Sequence, residues 1–571
     1  MRELIHKKLD QVIIPATHLL GLLLNLVILV LFFYYHDHGF DLTDEAFYAL
    51  NATQHDNIII GMSFGYLTSY LMSFFSCDFH DTRIIGCILL LGSTILMTSS
   101  CLYKYTGKFS YSKLLTAVAI STPCIIFYSH GIYSLSYNSY SVFGVNFILT
   151  GLFLNKNSKI LSFQSLVTGF GIFLLGMSKF TIIPIFLLLI IILYFVDKDK
   201  NDLSIFFNGS IFSLLFLLLH FFISNDSVEP FTRRFILTYE SLSLLKSNHI
   251  EQFSLPFVIS NLKEHFLRAD KSILTIYSIC PIYLLICLKN KNRKIYLFST
   301  MLVASLISYP ILNSLKRWVW HIDFTFIFYF TQFILICIFV KFTNNNFKRY
   351  NKLLYLLLAP TLYAIGSNNG LSFGGYLTLF WPLIAIFVLY KISNNFKPIY
   401  FSIQLGSTIL LVLISAFHGF KHPYRVDGRI SQQSSNITSF DGKHDMVIEP
   451  MLSEFVTKLD KEAKSNGWKS NTPLIELTNS PGLTFLLSGK VVSTPWLLAG
   501  YDGSEQWAKK MLDLYEHNHL ASAWVLTSKN KTTGLPTQIL NKVGLDFPLN
   551  YHKIEIGQYN GNHYYLWKPI V

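Results

Sequence analysis

Two acids stand side by side in GFDLTDEAFYALNA: Asp44 and Glu45, followed by Ala46, Phe47, Tyr48 and Ala49 in helical periodicity. Paired carboxylates can take a proton from a hydroxyl, orient a nucleophile or hold a divalent ion. Thr43 or Asp44 is expected to cap this short helix, because an anion is stabilised at a helix N-terminus. A capped, solvated interfacial helix would show the same spacing. Further along, DFHDTRIIG carries Asp78, His80, Asp81 and Arg83, and GMSKFTIIP places Lys179 between two apolar runs. Arg233 and Arg234 lie in EPFTRRF, and LKRWVWHID holds Lys316, Arg317, His321 and Asp323. Arginine and lysine are the side chains that hold phosphate, although one at the end of an apolar run also snorkels to the interface. SYNSYSVFG offers Tyr137 and Asn138. In AIGSNNGLSFGG the amides of Asn368 and Asn369 could line a polar pocket or simply form an Asn-Gly turn.

The elements that must position these residues are apolar helices. Of 571 residues, 51% are hydrophobic and only 14% charged, with mean hydropathy +0.41. Soluble chains carry about a quarter charged residues, so a soluble globule is excluded, and disorder with it. The seven cysteines show neither a disulfide framework nor zinc-type spacing. Runs long enough to cross a bilayer recur from 11–35 to 398–418, thirteen in all. The segment 58–76, rich in Gly and Ser, is a fourteenth candidate. Left out of the count, it gives one set of short loops with 20 Lys and Arg and an opposite set with four, Arg83, Lys179, Lys316 and Arg317. The positive-inside rule therefore puts the N-terminus in the cytoplasm and 58–76 at the interface. Of the net charge of +13, +11 falls in the first 419 residues, where the basic groups gather on those loops, so no nucleic-acid partner is expected.

Two long segments, 36–83 and 225–271, fall on the outer side, the second with a pattern of short surface helices. The expected fold is a polytopic all-α membrane domain over 1–419, followed by a soluble outer α/β domain over 420–571. In the latter, 422–445 reads as a polar linker and 446–467 as an amphipathic helix. PLIELT, SAWVLTS and YHKIEIGQYNGNHYYLWKP read as strands, the last a hairpin turned at Asn560-Gly561. A further helix, SEQWAKKMLDLYEHN, has Ser504 as its cap.

An outer face with one paired carboxylate and several cations suits sugar transfer from a lipid-linked phosphate to a hydroxyl. The hydroxyl needs a base, while the leaving phosphate is already anionic and needs cations rather than an acid. Charges at the span centres are nearly absent, which argues against an ion-coupled transporter.

The order of these motifs resembles the GT-C superfamily of polyprenyl-phosphate-sugar-dependent glycosyltransferases, especially its aminoarabinose-transferase and protein O-mannosyltransferase branch. TDEAFYAL resembles that family's acidic first outer loop, TRIIG its arginine opening the second span, SYNSYSVFG the start of its fourth, and GMSKFTIIP its lysine turn. The resemblance implies that Asp44 is the catalytic carboxylate, with Glu45 orienting acceptor or helix. It implies that Arg83 and Lys179 contact the donor phosphate, with Arg233, Arg234 and Arg317 as secondary candidates. Asp81, Tyr137, Asn138, His321, Asn368 and Asn369 are possible substrate contacts. The expected partners are a polyprenyl-phosphate-linked sugar donor, a lipid, glycan or protein acceptor, and membrane lipid. No cofactor is expected, although Asp44, Glu45 and Asp81 could hold a divalent ion. The expected location is a bacterial inner membrane. Two rivals are an envelope-polysaccharide ligase or polymerase using a polyprenyl diphosphate through Arg317 and His321, and a non-catalytic transporter of lipid-linked sugars.

Overall fold

The computed structural model describes residues 2–59, 61–107, 109–154, 162–197, 200–245, 350–364, 370–392, 405–406, 408–409, 413, 416–529 and 534–570. These are mostly helical, with sheets only toward the C-terminus. Three of the described helices are long and apolar enough to cross a membrane: Thr82–Thr106, Tyr111–His130 and Lys200–Ile223. Five shorter apolar helices run His18–Tyr34, Phe163–Ser178, Ile182–Val196, Leu353–Ala364 and Phe380–Leu389. The expected spans 272–289, 295–314 and 323–341 lie outside the described residues. Leu214, Leu218 and Phe222 on Lys200–Ile223 are 61%, 61% and 88% exposed. An apolar surface of this kind calls for lipid rather than water, and the chain is membrane-associated.

Helix α1 (Arg2–Tyr34) leads through a turn into α2 (Asp44–Thr53) and α3 (Phe64–Phe75), and then into α4 (Thr82–Thr106). The 12 residues of α3 rise about 18 Å, short of the roughly 30 Å hydrocarbon layer. Its first turns are buried against the protein, while Phe74 and Phe75 at its end are exposed. The second outer segment begins with one continuous helix, α10 (Val228–Leu244), rather than several short ones. Residues 246–271 lie outside the described ones.

Past residue 420 the chain differs from its expected linker. Residues 435–438 form strand β1 (Ser435–Thr438), paired antiparallel with β2 (Asp445–Ile448). Met446, Val447 and Ile448, expected to open a helix, are therefore strand. The helix begins only at Pro450, with the Glu449 side chain accepting from Leu452 N at 2.9 Å. Proline at the first helical position explains the break, since its missing N–H is not needed there. A five-stranded sheet follows, in the order β4 (Lys490–Val491), β3 (Pro473–Glu476), β5 (Trp524–Lys529), β7 (Asn562–Pro569), β6 (Tyr551–Tyr559). The β6–β7 hairpin turns at Asn560-Gly561, both at positive φ, as two-residue hairpin turns require. Ser504 is not a cap: it is the first helical residue, and its hydroxyl donates to Leu498 O.

The two halves are joined through the first outer segment. His38 bridges to Val447 of β2, with Gly39 N donating to Val447 O at 2.7 Å and Val447 N to Asp37 O at 2.9 Å. Gln54 bonds both Gly489 O and Val491 N, and Ile59 N donates to Ser493 O. Helix α2 also meets the short helix Gly482–Leu486. Gly482 N donates to Leu42 O at 2.9 Å, and a Cβ at Gly482 would lie 2.8 Å from Leu42 Cα. Gly482→Ala is expected to cost roughly 1–3 kcal/mol by overpacking. The check is the melting temperature in detergent together with the rate of proteolysis around 420–434. Unchanged values for both would show that the two halves are not held at this contact.

Candidate active site at the head of the first outer helix

Three acids converge where α2 begins, and the fold gives each a different environment. Asp41, outside the motif read from the sequence, performs the capping expected of Thr43 or Asp44. Its Oδ2 accepts from Asp44 N at 2.9 Å and Glu45 N at 3.3 Å, and its Oδ1 from the Thr43 amide and hydroxyl. Glu45 Oε2 reaches back to Asp41 N at 3.2 Å, so cap and helix hold each other as in a capping box. Burial and then the neighbouring Asp44 charge push Asp41 up to about 7, against the Thr43 hydrogen bonds.

Glu45 and Arg83 form a sealed ion pair at 2.6 Å, the residues 5% and 2% exposed. Arg83 Nε is shared between Glu45 and Ser134, Nη1 donates to the carbonyls of His36 and His38, and Nη2 donates to Gly39 O and Glu45. Ser134 also donates to Glu45. All five guanidinium N–H groups are thus engaged by the chain. Arg83 anchors the 36–39 turn and has no donor left for a phosphate. Burial alone would raise the Glu45 pKa; the Arg83 charge, with help from His80 and Ser134, holds it below the ordinary value.

Asp44 is the open member. Its carboxylate is 26% exposed and meets Arg425 Nη1 at 3.1 Å, and the same nitrogen donates to Thr43 Oγ1 at 2.7 Å. Burial raises the Asp44 pKa, opposed by Arg425 and a hydrogen bond from Tyr424. Tyr48, Tyr137 and Tyr501 lie within electrostatic range of it. Phe47, three residues along α2, pairs with Trp496 at 6.4 Å. The site is therefore assembled from the α2 head, the start of α6 (Tyr137–Phe153), residues 424–425 and the loop bearing Trp496 and Tyr501.

Lys179 ends α7 (Phe163–Ser178) and is 3% exposed. Its Nζ donates to Tyr363 O at 2.6 Å and lies 4.8 Å from the centre of that ring. Tyr363 Oη in turn bonds Asn138 Oδ1 at 3.2 Å, so Lys179, Tyr363, Asn138 and Tyr137 form a polar line leading toward Asp44. The other candidates are dispersed. Arg234 is buried against Asp226 and Ser63, in a cluster with His220 and Tyr70, while Arg233 is exposed on α10. Asp81 pairs with His36 at 3.1 Å. Asp44, Glu45 and Asp81 thus turn to three different partners, and among the described residues no three His, Cys, Asp or Glu side chains converge as metal ligands. Arg317, His321, Asn368 and Asn369 lie outside the described residues.

Sequence reasoning missed Asp41, Ser134, Tyr424 and Arg425. The spacing of Asp41 three and four residues before Asp44 and Glu45 is a capping signal. Nothing local marks Arg425, which reaches Asp44 across 381 residues of chain.

His80, beside this pair, is 1% exposed, and neither ring nitrogen has a hydrogen-bond partner among the described residues. Burial and the nearby Arg83 charge lower its pKa to about 4. The folded protein therefore keeps His80 neutral below pH 6.5, where the unfolded chain takes up a proton. Stability should fall as pH drops from about 6.5 toward 4, by roughly 3 kcal/mol in total for this group. His80→Phe is expected to flatten that slope in thermal unfolding measured between pH 4 and 7, and an unchanged slope would show that His80 does not set it.

Among known proteins, no family model matches this chain, and no curated protein matches it.

Proposed function

We propose that this chain is a polytopic membrane glycosyltransferase of the GT-C type, with about thirteen spans and its N-terminus in the cytoplasm. It moves one sugar, with inversion, from a polyprenyl-phosphate carrier to a hydroxyl of a lipid, glycan or protein. The chemistry lies on the outer face of a bacterial inner membrane, next to the outer C-terminal domain. The observation that carries this reading is the inequality of the three acids at the α2 head. Asp41 and Glu45 are consumed by capping and by Arg83, while Asp44 stays partly open, faces a cation and is ringed by aromatic side chains. A carboxylate so placed can take the acceptor proton as the new bond to the sugar forms. The rings offer apolar faces for a sugar, and Lys179, Tyr363 and Asn138 continue the polar surface inward. In this reading Arg83 positions the 36–39 turn and Glu45, and the step uses no cofactor.

The test is transfer by membranes containing the chain, supplied with radiolabelled lipid-linked sugars extracted from the host. Label should pass from a polyprenyl-phosphate carrier to a lipid, glycan or protein product. Transfer only from a polyprenyl diphosphate would move the chemistry to Arg317 and His321, and none from any carrier would overturn the reading.

A further inference from the structure

The cation that faces Asp44 does not come from the membrane half. Arg425 stands just past the apolar region, and its position is built rather than incidental. The Tyr424 ring packs against His130 at 4.3 Å, tilted by 43°, and the chain there passes so close to Gly131 that a Cβ would lie 2.7 Å from Pro423 Cα. Gly131 also has φ +77, which a side chain rarely tolerates. Arg425 itself sits at φ +52, a left-handed conformation that non-glycine residues adopt only where surrounding structure enforces it. Its guanidinium lies 4.7 Å from the Tyr424 ring centre.

Among the described residues only Nη1 is hydrogen-bonded, to Thr43 and Asp44, and the side chain is 46% exposed. Nε and Nη2 make no hydrogen bond among the described residues. Arg83 has no open donor and Arg234 is committed to Asp226 and Ser63. A half-exposed guanidinium edge with two parallel donors can pair bidentately with an oxyanion such as phosphate.

We propose that Arg425, delivered by the C-terminal half, binds the phosphate of the lipid-linked donor, and that it exchanges the Asp44 carboxylate for that phosphate when the donor arrives. This rests on the glycosyltransferase reading and supplies the phosphate contact that Arg83 cannot. Donor binding then releases the base. The acceptor oxygen forms its bond to the anomeric carbon, whose bond to the phosphate oxygen breaks with the electron pair going to phosphate. The acceptor proton passes to Asp44, and the leaving polyprenyl phosphate stays paired with Arg425. The order is donor first, acceptor second.

The experiment measures binding of a sugar-free polyprenyl monophosphate, and separately of inorganic phosphate, to the full chain in detergent micelles. Melting temperature is followed for every variant. Arg425→Gln should weaken polyprenyl monophosphate at least tenfold, Arg425→Lys should weaken it less, and added guanidinium should restore binding to the Gln variant. Asp44→Asn should bind at least as tightly as wild type, because the competing carboxylate is gone. Inorganic phosphate alone should bind weakly to wild type; equal affinity for both probes would overturn the assignment to a lipid phosphate. Binding by Arg425→Gln within twofold of wild type would overturn the proposal. If that variant does not fold, weakened binding by Asp44→Asn would overturn it instead. No transfer is needed for this measurement. Failure of sugar transfer with Arg425-dependent binding intact would sink the glycosyltransferase reading alone.

Discussion

Asp44→Asn should lower sugar transfer by about 10²- to 10⁴-fold, the range lost with a general base, while polyprenyl monophosphate still binds. The substitution keeps the shape and removes only the proton acceptor. The neighbouring acids among the described residues are no substitute, because Asp41 is occupied as the helix cap and Glu45 by Arg83 and Ser134. Burial raises the Asp44 pKa, which makes it a stronger base than a free carboxylate, while Arg425 and Tyr424 keep it from rising further. A base must be ionised to act, so transfer by the wild type should increase as pH rises through the Asp44 pKa. That acid limb should be missing from the residual activity of the variant. Full retained transfer would remove Asp44 from the mechanism.

Arg83→Met should destabilise the folded protein by about 3–5 kcal/mol, the usual cost of leaving one member of a buried ion pair uncompensated. The loss reaches beyond Glu45, because the carbonyls of His36, His38 and Gly39 lose their donors together. Arg83→Lys should be nearly as damaging, since one ammonium cannot satisfy acceptors arranged around a planar fork. The measurement is melting temperature in detergent alongside the KM for donor. A positioning role predicts a lower melting temperature with modest change in KM for the molecules that remain folded. A normal melting temperature with a greatly raised KM would return Arg83 to the phosphate contact that its place at the head of a span implied.

The difference between Arg83 and Arg425 shows where sequence reasoning stops. Arg83 was conspicuous because it opens an apolar helix on the side poor in basic residues. That context identifies a charge with a reason to be there, yet it does not reveal whether the reason is a ligand or the protein's own backbone. Only the fold brings three carbonyls, Glu45 and Ser134 around the guanidinium. Arg425 lies in a stretch whose composition reads as a linker, and its partner is fixed by packing of 423–424 against Gly131. The same holds for β1 and β2, short strands that gain their partners from each other and from the 37–39 turn. Short strands carry little periodic signal.

The sequence by itself determined the membrane character, the polar C-terminal region with its mixed helix and strand content, and the β6–β7 hairpin. Hydropathy, composition and an Asn-Gly turn are local quantities that the chain carries before it folds. It also determined that Asp44 and Glu45 would sit together at the start of a helix. Tertiary structure decided which of three neighbouring acids stays open, which cation faces it, and that the two halves meet there. Those outcomes depend on burial and on partners hundreds of residues away, since a carboxylate's availability is set by what surrounds it.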